Sequence, residues 1–460
     1  MSDPLSKAAT AAEIARAIAG GKVKASAVVE AALTRIDVTE PTVNAFTDIV
    51  AERARKRAAE IDAGRHRGPL MGVPFAVKNL FDIEGLPTRA GSKINADGPK
   101  AKRDGALVRQ LEAAGAILVG GLNMGEYAYD FTGENAHYGP SRNPHDPTRM
   151  TGGSSGGSGA AVASGEVPLA LGSDTNGSIR VPSSLCGLFG LKPTYGRLSR
   201  AGSFPFVDAF DHLGPMARST EDLALSFDAM QGWDPDDPVC TDRNPEPTAL
   251  SLAEGIGGLR IAVAGDYFAK GAEPEAFEAV ATVAKALNAT KTVVLPQAAA
   301  ARSAAYVITA MEGAQLHLPR LRTRPQDFDP DTRERFMAGA LLPGSWYVKA
   351  QRFRRHYRAN VLKVFDEVDI VLAPAAPCSA PKIGQVMMKL DGVDLAVRAN
   401  LGVFTQPISF IGLPVVAVPT RRPGAMPIGV QVIARPYNEQ AALRVAAYLE
   451  KQGVCVSTPA

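Results

Sequence analysis

Cysteine is scarce in this sequence of 460 residues, and no two cysteines form a Cys-x-x-Cys pair. Because the four cysteines lie far apart, we expect free thiols in a reducing compartment rather than a disulfide framework. The six histidines show no metal-ligand spacing, so we expect no metal site. The cysteines are Cys186, Cys240, Cys378 and Cys455.

Long apolar runs are also missing, since no stretch approaches the roughly 20 residues that cross a bilayer. The amphipathic N-terminus lacks the apolar segment of a signal peptide. The net charge of +3 is spread along the chain. The cluster Arg352, Arg354 and Arg355 is more typical of a solvated or partner-facing helix than of a nucleic-acid surface. We therefore expect a cytoplasmic protein that binds neither membrane nor nucleic acid.

Strand and helix patterns alternate along the first part of the chain. Residues 8–66 carry apolar positions at helical spacing. The apolar run at 72–77 predicts a buried strand, Asp104 is placed to cap a helix that ends at Gly115, and 116–119 predicts the next strand. This alternation predicts a mostly parallel sheet with helices outside it.

The rest of the chain continues this α/β pattern without internal repeats. We expect one continuous core over 69–460, with an N-terminal helical region over 1–68 packed on it and a variable helical or loop insertion over 225–340, effectively one domain. A long helix is predicted over 344–365. Further strands are predicted at 167–171, 258–264, 368–373, 415–418 and 429–433.

The first stretch that could carry chemistry is Gly152–Ser158, which alone is typical of a flexible loop. No Gly-Lys-Ser/Thr ending follows, so a phosphate-binding P-loop is excluded. Gly153–Gly157 fits the Gly-x-Ser-x-Gly pattern of a nucleophile elbow. An elbow needs a strand directly before it, and 143–149 has the composition of a turn, so we reject this interpretation.

The second stretch is Gly172–Pro182, where a predicted strand runs into a glycine-containing loop and Ser178 opens a helix. Backbone N–H groups at such a turn point in one direction and can hold an anion. Acyl transfer requires this arrangement as an oxyanion hole. The alternative is that Ser178 is an ordinary helix N-cap.

The third candidate is Lys78, which closes the strand predicted at 72–77. A buried lysine is costly unless it is paired or neutral, and burial lowers its pKa so that it can act as a base. The alternative is a structural lysine in an ion pair with an acid such as Asp82.

Together these stretches resemble the amidase signature family, whose spacings between Lys78, Ser154 and Ser178 they match. The resemblance covers nearly the whole chain and is strongest over 68–220. It implies an α/β fold with a large twisted mixed, mostly parallel sheet covered by helices on both faces. The matching motifs are Val77–Asn79, Gly152–Pro182, Cys186–Thr194 and Gly214–Ser219.

The resemblance also implies roles. Ser178 is the nucleophile, Ser154 is a bridging serine that follows a cis peptide bond, and Lys78 is the base of a cofactor-free amidase that works through an acyl-enzyme. Many members of the family carry glycine where this chain has Asn176. The implied oxyanion hole consists of the backbone N–H groups of Thr175, Asn176, Gly177 and Ser178.

Two branches of the family resemble the chain most. The first comprises the glutaminase subunits of tRNA-dependent amidotransferases, which hold the amino group of glutamine with an aspartate near the position of Gly402. Without that carboxylate, a substrate ammonium has no partner. The shared motifs are Leu122–Met124, Thr132–Asn135 and Lys349–Gln351.

The second branch comprises the 1-carboxybiuret hydrolases of s-triazine and cyanuric-acid degradation, whose substrate is a small, flat ureido acid without an ammonium group. This resemblance predicts hydrolysis of 1-carboxybiuret with release of ammonia. It also implies a dimer of heterodimers, each of which contains a small helical accessory subunit. The shared motifs are Ser173–Gly190, Glu134–Gly139 and Arg200–Phe206.

Substrate-binding residues are assigned from the same resemblance. Arg354 lies where the amidotransferase branch binds the glutamine carboxylate, while Tyr127 and Tyr129 lie where relatives line the pocket. A surface role for Arg354 and a packing role for the two tyrosines remain alternatives. Arg180 is expected to brace the loop against Asp174. An amidase for another small amide, or an inactive binding subunit, is a further alternative, although all three triad positions are filled.

Overall fold

The computed structural model describes residues 3–460. Within them, no helix has the length and apolar character that a membrane span requires. The α-helices are α1 (Ala11–Ala19), α2 (Ala25–Val43), α3 (Ala51–Asp62), α4 (Lys93–Ala96), α5 (Ala106–Ala113), α6 (Gly156–Ala163), α7 (Arg180–Cys186), α8 (Thr220–Met230), α9 (Thr248–Ser251), α10 (Pro274–Ala286), α11 (Ala298–Thr323), α12 (Pro330–Ala340), α13 (Gly344–Glu367), α14 (Val397–Asn400), α15 (Gln406–Ser409) and α16 (Glu439–Lys451).

The strands contribute one large sheet and two small ladders. They are β1 (Phe46–Ile49), β2 (Pro74–Lys78), β3 (Ile117–Leu122), β4 (Arg142–Asn143), β5 (Asp146–Met150), β6 (Leu169–Ser173), β7 (Phe189–Lys192), β8 (Leu213–Ala217), β9 (Ile261–Ala264), β10 (Lys291–Val293), β11 (Ile370–Pro374), β12 (Met387–Leu390), β13 (Val393–Ala396), β14 (Val415–Pro419) and β15 (Gly429–Ala434). The large sheet has 11 strands in the order β1-β3-β2-β6-β8-β7-β14-β15-β11-β9-β10.

The mixed α/β sheet expected from the sequence is confirmed, but the expectation that parallel pairs dominate is wrong. Only four of its ten neighbouring strand pairs are parallel, and six are antiparallel. The four central strands β8, β7, β14 and β15 pair antiparallel on both sides. The connection from β14 to β15 is too short for a crossover helix, which favours antiparallel pairing.

The N-terminal region is not entirely helical, contrary to the sequence prediction. Strand β1 lies between α2 and α3 and pairs antiparallel with β3, so residues before 68 supply one edge of the large sheet. The expected cap of α5 by Asp104 is also wrong, because Gly105 is the N-cap and no side chain caps the helix. The Asp104 carboxylate instead accepts hydrogen bonds from Arg53 and from the backbone N–H of Glu84.

Helices pack against both faces of the sheet, which is why β2 and β6 are buried along their whole length. Helix α6 is made of small residues because it runs through the interior. A Cβ at Gly157 would lie 2.4 Å from the carbonyl oxygen of Ala45. The carboxyl ends of the parallel strands β2 and β6 lie side by side in the sheet, with Lys78 on one and Ser173 on the other.

The segment predicted as an insertion, 225–340, contains α11 and α12. The side of α12 that faces α11 is small, since a Cβ at Gly339 would lie 2.1 Å from the carbonyl oxygen of Ala310. The close contact lets the two helices act as one wall above the end of the central strands. This wall takes part in the pocket described next.

Candidate active site

Lys78 lies at the end of β2 and its side chain is completely buried. Its Nζ donates to Ser154 Oγ at 2.7 Å and to Ser173 Oγ at 2.8 Å. No carboxylate pairs with it within residues 3–460. Burial lowers the pKa of Lys78 to about 7, although Asp211, Asp174 and Asp130 act in the opposite direction. Lys78 is therefore substantially neutral at physiological pH and can accept a proton.

The structural alternative for Lys78 was an ion pair with Asp82, and that interpretation is wrong. Asp82 accepts a hydrogen bond from the Thr88 hydroxyl, and its backbone groups pair with Gly202 and Gly105. The Lys78 amine instead has two hydroxyl partners, a setting that leaves its neutral form satisfied.

Ser154 follows a cis peptide bond with Gly153, as the family resemblance implied. The loop around it is tightly packed, since a Cβ at Gly153 would lie 2.4 Å from Asp130 Oδ2. The segment before this loop differs from the prediction. It forms the short antiparallel ladder of β4 and β5 rather than only turns, so a strand does precede the serines, but it lies outside the large sheet.

The loop from Asp174 to Ser178 follows β6 and is held by a buried ion pair. Arg180 Nε and Nη2 each lie 2.9 Å from an Asp174 carboxylate oxygen, and both side chains are fully buried. Asp174 also accepts from the backbone N–H groups of Ile179 and Arg180. The bracing expected of Arg180 is thus present in the structure.

The same loop leaves four consecutive donors available. Among residues 3–460, the backbone N–H groups of 175–178 have no acceptor. Gly177 has φ +145°, and a Cβ there would lie 2.2 Å from Thr405 Oγ1, so only glycine fits. Thr405 Oγ1 in turn donates to the Asn176 carbonyl at 2.6 Å. This conformation keeps the donors together and pointed toward one side, as an anion site requires.

Ser178 is not a helix cap, which removes the alternative considered for it. Helix α7 begins at Arg180 with Ile179 as its N-cap residue and has no side-chain cap. Within the described chain, Ser178 Oγ makes no hydrogen bond, and the residue lines a pocket. A serine hydroxyl in that position is available to a ligand.

The pocket around Ser178 is small, with a volume of about 20 Å³. That is room for about one water, so a substrate enters only when lining side chains move. Its lining residues are Ala128, Tyr129, Asp130, Phe131, Thr175, Asn176, Ser178, Phe206, Tyr306, Thr309, Arg335 and Gln406. We call Lys78, Ser154 and the loop 174–178 the catalytic face, and Tyr306, Thr309 and Arg335 on α11 and α12 the helical wall.

Of the substrate-binding residues predicted from the sequence, only Tyr129 lines this pocket. Tyr127 is buried behind it, where its hydroxyl donates to Asn95 and its ring lies 3.9 Å from the His317 ring. The Arg354 guanidinium donates to the carbonyl oxygens of Phe410 and Ala209. Arg354 therefore braces α13 against the core, and the pocket placement expected for it is wrong.

Sequence reasoning missed two parts of the site. Ser173, the second partner of Lys78, immediately follows the predicted strand but has no distinguishing motif. The helical wall comes from a segment predicted only as variable. The i, i+3 spacing of Tyr306 and Thr309 places them on one helix face, which is the only signal that the sequence offered.

Two buried polar atoms of the pocket have no partner in the described chain. They are the Tyr129 hydroxyl and Asn176 Oδ1, while Asn176 Nδ2 donates to Thr309 Oγ1 at 3.0 Å. Burial raises the pKa of Tyr129 to about 12, so its hydroxyl stays protonated and can donate. A ligand with both donors and acceptors would satisfy these atoms.

The sequence profile of the Amidase family matches residues 27–443. The AtzE subunit of the 1-carboxybiuret hydrolase from Pseudomonas sp. (strain ADP) is 55% identical over 449 residues, which are 96% of this chain and 98% of that protein. One subunit of the Glutamyl-tRNA(Gln) amidotransferase from Chloroflexus aurantiacus (strain ATCC 29366 / DSM 635 / J-10-fl) is 38% identical over 461 residues, or 93% of each chain.

Similar folds have been solved. One structure comes from a vestigial protein complex that reveals the evolutionary origins of an s-triazine catabolic enzyme. Its matching chain is 54% identical, has a TM-score of 0.97, and the match covers 98% of this chain and 100% of that one.

Proposed function

Because the chain belongs to the amidase family and is an amidase, we propose that it hydrolyses a C–N bond of a small linear ureido acid, 1-carboxybiuret, and releases ammonia. The observation that carries the chemistry is the buried Lys78 amine bonded to Ser154 beside four unpaired backbone N–H groups. The similarity to the Pseudomonas hydrolase supports the choice of substrate.

In the proposed reaction, Ser178 is the nucleophile. Its proton passes to Ser154 Oγ as the Ser154 proton passes to the neutral Lys78 amine. The Ser178 oxygen forms a bond to the terminal carbamoyl carbon, and the negative charge moves to the carbonyl oxygen. The N–H groups of the loop 175–178 stabilise that oxyanion.

Collapse of this intermediate breaks the C–N bond. The proton held by Lys78 returns through Ser154 to the leaving nitrogen, which departs as ammonia. Water then adds to the acyl-enzyme by the same relay and regenerates the Ser178 hydroxyl. The second product is urea carrying a carboxylate on each nitrogen.

The pocket favours a substrate without an ammonium group. A Cβ at Gly402 would lie 2.3 Å from the Phe131 ring, so no carboxylate fits there without displacement of Phe131, which lines the pocket. Asp130, the acid among the lining residues, is already bound by Arg398 and by Thr132. A glutamine amino group would therefore lack a partner, which argues against the glutaminase function.

The test measures ammonia release by the purified protein from 1-carboxybiuret, biuret, allophanate and glutamine. We expect the highest kcat/KM for 1-carboxybiuret, with Ser178→Ala as the blank for non-enzymatic release. Preferred turnover of glutamine would establish the amidotransferase alternative. Turnover of none of the four would refute the substrate proposal, and hydrolysis of unrelated amides would then redefine the substrate.

We further propose that the chain works in the cytoplasm with a small helical accessory subunit, in a dimer of heterodimers. Support comes from the similar solved chain, which was found in a protein complex. Large apolar side chains exposed on and after α12, namely Met337, Leu341 and Trp346, are also candidates for cover by a partner.

Expression from the native gene cluster, followed by native mass measurement of the purified assembly, tests the partner. We expect a small helical protein in a 1:1 ratio and a mass equal to two heterodimers. A fully active and stable chain that purifies alone would contradict the partner proposal but not the hydrolase assignment.

A further inference from the structure

The arginine that lines the pocket with Ser178 is Arg335, on the inner side of α12. Its guanidinium carbon lies 3.6 Å from the centroid of the Tyr129 ring. Its Nη1 donates to the Tyr129 carbonyl oxygen at 2.6 Å. The stack and the single hydrogen bond hold the plane of the guanidinium but leave the Nε and Nη2 donors without a partner in the described chain.

Other arginines near the pocket are fully engaged. Arg398 pairs with Asp130, Glu134 and Asp331. Arg302 donates to Gln406, Asn400 and the Ala399 carbonyl. By contrast, no carboxylate of residues 3–460 forms an ion pair with Arg335, so its charge is uncompensated by the protein.

The remaining pocket residues do not neutralise that charge. Asp130 is the acid among them, and its carboxylate accepts hydrogen bonds from Arg398 at 2.7 Å, from Thr132 and from the Gly133 N–H at 2.6 Å. The other lining side chains are neutral. The pocket thus has one cationic group with two spare, coplanar donors, which is the geometry that binds a carboxylate in two hydrogen bonds.

We propose that Arg335 binds the carboxylate of the substrate and thereby selects ureido acids over neutral ureas. The inference rests on the proposed function, because it assigns one end of the ureido acid to a residue. The Asn176 Oδ1 and the Tyr129 hydroxyl, both unpartnered, then face the ureido N–H and C=O groups between that carboxylate and Ser178.

The experiment compares Arg335→Met with the wild-type enzyme on 1-carboxybiuret and on biuret, which lacks the carboxylate. Methionine keeps apolar contact with Tyr129 but removes the charge and the donors. We expect kcat/KM for 1-carboxybiuret to fall about a hundredfold, as loss of two hydrogen bonds to a charged group predicts, while that for biuret changes less than about threefold. Arg335→Lys should restore part of the loss, since lysine keeps the charge without the planar fork.

The matched control is Arg333→Met, which removes a charge from the same helix two positions away. Arg333 does not line the pocket, so its substitution should leave the ratio of the two kcat/KM values unchanged. Thermal unfolding of each variant shows whether α12 keeps its packing. A structural role for Arg335 would lower both activities together and would not alter that ratio.

A binding measurement covers the case in which biuret turnover is too slow to follow. Calorimetry compares Ser178→Ala with Ser178→Ala/Arg335→Met, and we expect 1-carboxybiuret to bind about a hundredfold more weakly to the double variant. Equal binding, or equal kcat/KM of wild type and Arg335→Met on 1-carboxybiuret, overturns the role of Arg335 and leaves the proposed function intact. A wild-type enzyme inert toward 1-carboxybiuret overturns the proposed function itself.

Discussion

The two sides of the pocket differ in how firmly their polar groups are held. On the catalytic face, Lys78 and Asp174 are fully buried, and each has fixed partners within the core. On the helical wall, Tyr306 is about half exposed and Arg335 is held by one hydrogen bond. The difference indicates that chemistry and specificity are separable here. Variants of the first side should affect all substrates alike, and those of the second should discriminate between them.

The largest effect is expected from Ser178→Ala, which removes the proposed nucleophile. Activity on every substrate should fall at least about a thousandfold, because the groups of such a relay act as a unit. The serine makes no hydrogen bond within the described chain, so the melting temperature should stay near that of the wild type. Steady-state ammonia release and thermal unfolding measure both quantities. Residual activity near the wild-type level would exclude Ser178 as the nucleophile.

Nearly as large an effect is expected at Lys78, with a defined pH dependence. Burial lowers the pKa of Lys78 to about 7, and the neutral amine is the active form. Wild-type kcat should therefore rise with pH through about 7 and reach a plateau above it. Lys78→Arg and Lys78→Met should both be inactive across this range, because arginine does not deprotonate in proteins and methionine has no proton acceptor.

The pH dependence of stability gives an independent check on Lys78. In the unfolded chain this lysine keeps its proton up to its ordinary pKa of 10.5, whereas in the folded chain it loses the proton near its lowered pKa of about 7. Between these values the unfolded state holds more protons, so the free energy of unfolding should rise with pH. In Lys78→Met that contribution is absent. The stability difference between wild type and Lys78→Met, measured by denaturant titration, should thus shift in favour of the wild type from about pH 7 to 10. A constant difference would mean that the pKa of Lys78 is not lowered.

The catalytic face was largely predictable from the sequence because its residues lie in short segments with strong local constraints. Lys78 closes an apolar strand, and Gly177 occupies a position where only glycine fits. Such constraints leave their mark on neighbouring residues, and the family resemblance added the spacing between them. The assignment of catalytic roles remains a proposal, since geometry alone does not show turnover.

The helical wall was not predictable, and the reason is geometric. Arg335 and Arg354 both lie on helices in basic, weakly patterned segments. The sequence does not tell which of them turns toward the pocket, because that depends on how α11, α12 and α13 pack. The large sheet posed the same difficulty. Strand patterns were found at most of the right places, but the antiparallel pairing of β7, β8, β14 and β15 depends on contacts distant in sequence.

A smaller effect is expected from Gly177→Ala, which disturbs the catalytic face without removing a reacting group. The added methyl would lie 2.2 Å from Thr405 Oγ1 and at a φ that alanine rarely adopts, so the loop must shift. Because misplacing one oxyanion donor costs about a hundredfold or more in kcat, we expect a loss of about that size. It should be equal for 1-carboxybiuret and biuret. A loss confined to 1-carboxybiuret would place this loop in carboxylate selection instead.

The smallest effect on activity is expected from Gly339→Ala, which disturbs only the helical wall. The added methyl would lie 2.1 Å from the Ala310 carbonyl oxygen, so α12 must move away from α11. Overpacking of this kind costs about 1–3 kcal/mol of the free energy of unfolding. Since α12 carries Arg335, KM for 1-carboxybiuret should rise while kcat changes little. Gly344→Ala is the matched control, because its Cβ meets nothing within 4 Å at the start of α13. If Gly339→Ala instead lowered kcat equally for 1-carboxybiuret and biuret with KM unchanged, the wall would be coupled to the catalytic face, and the separation of chemistry from specificity would fail.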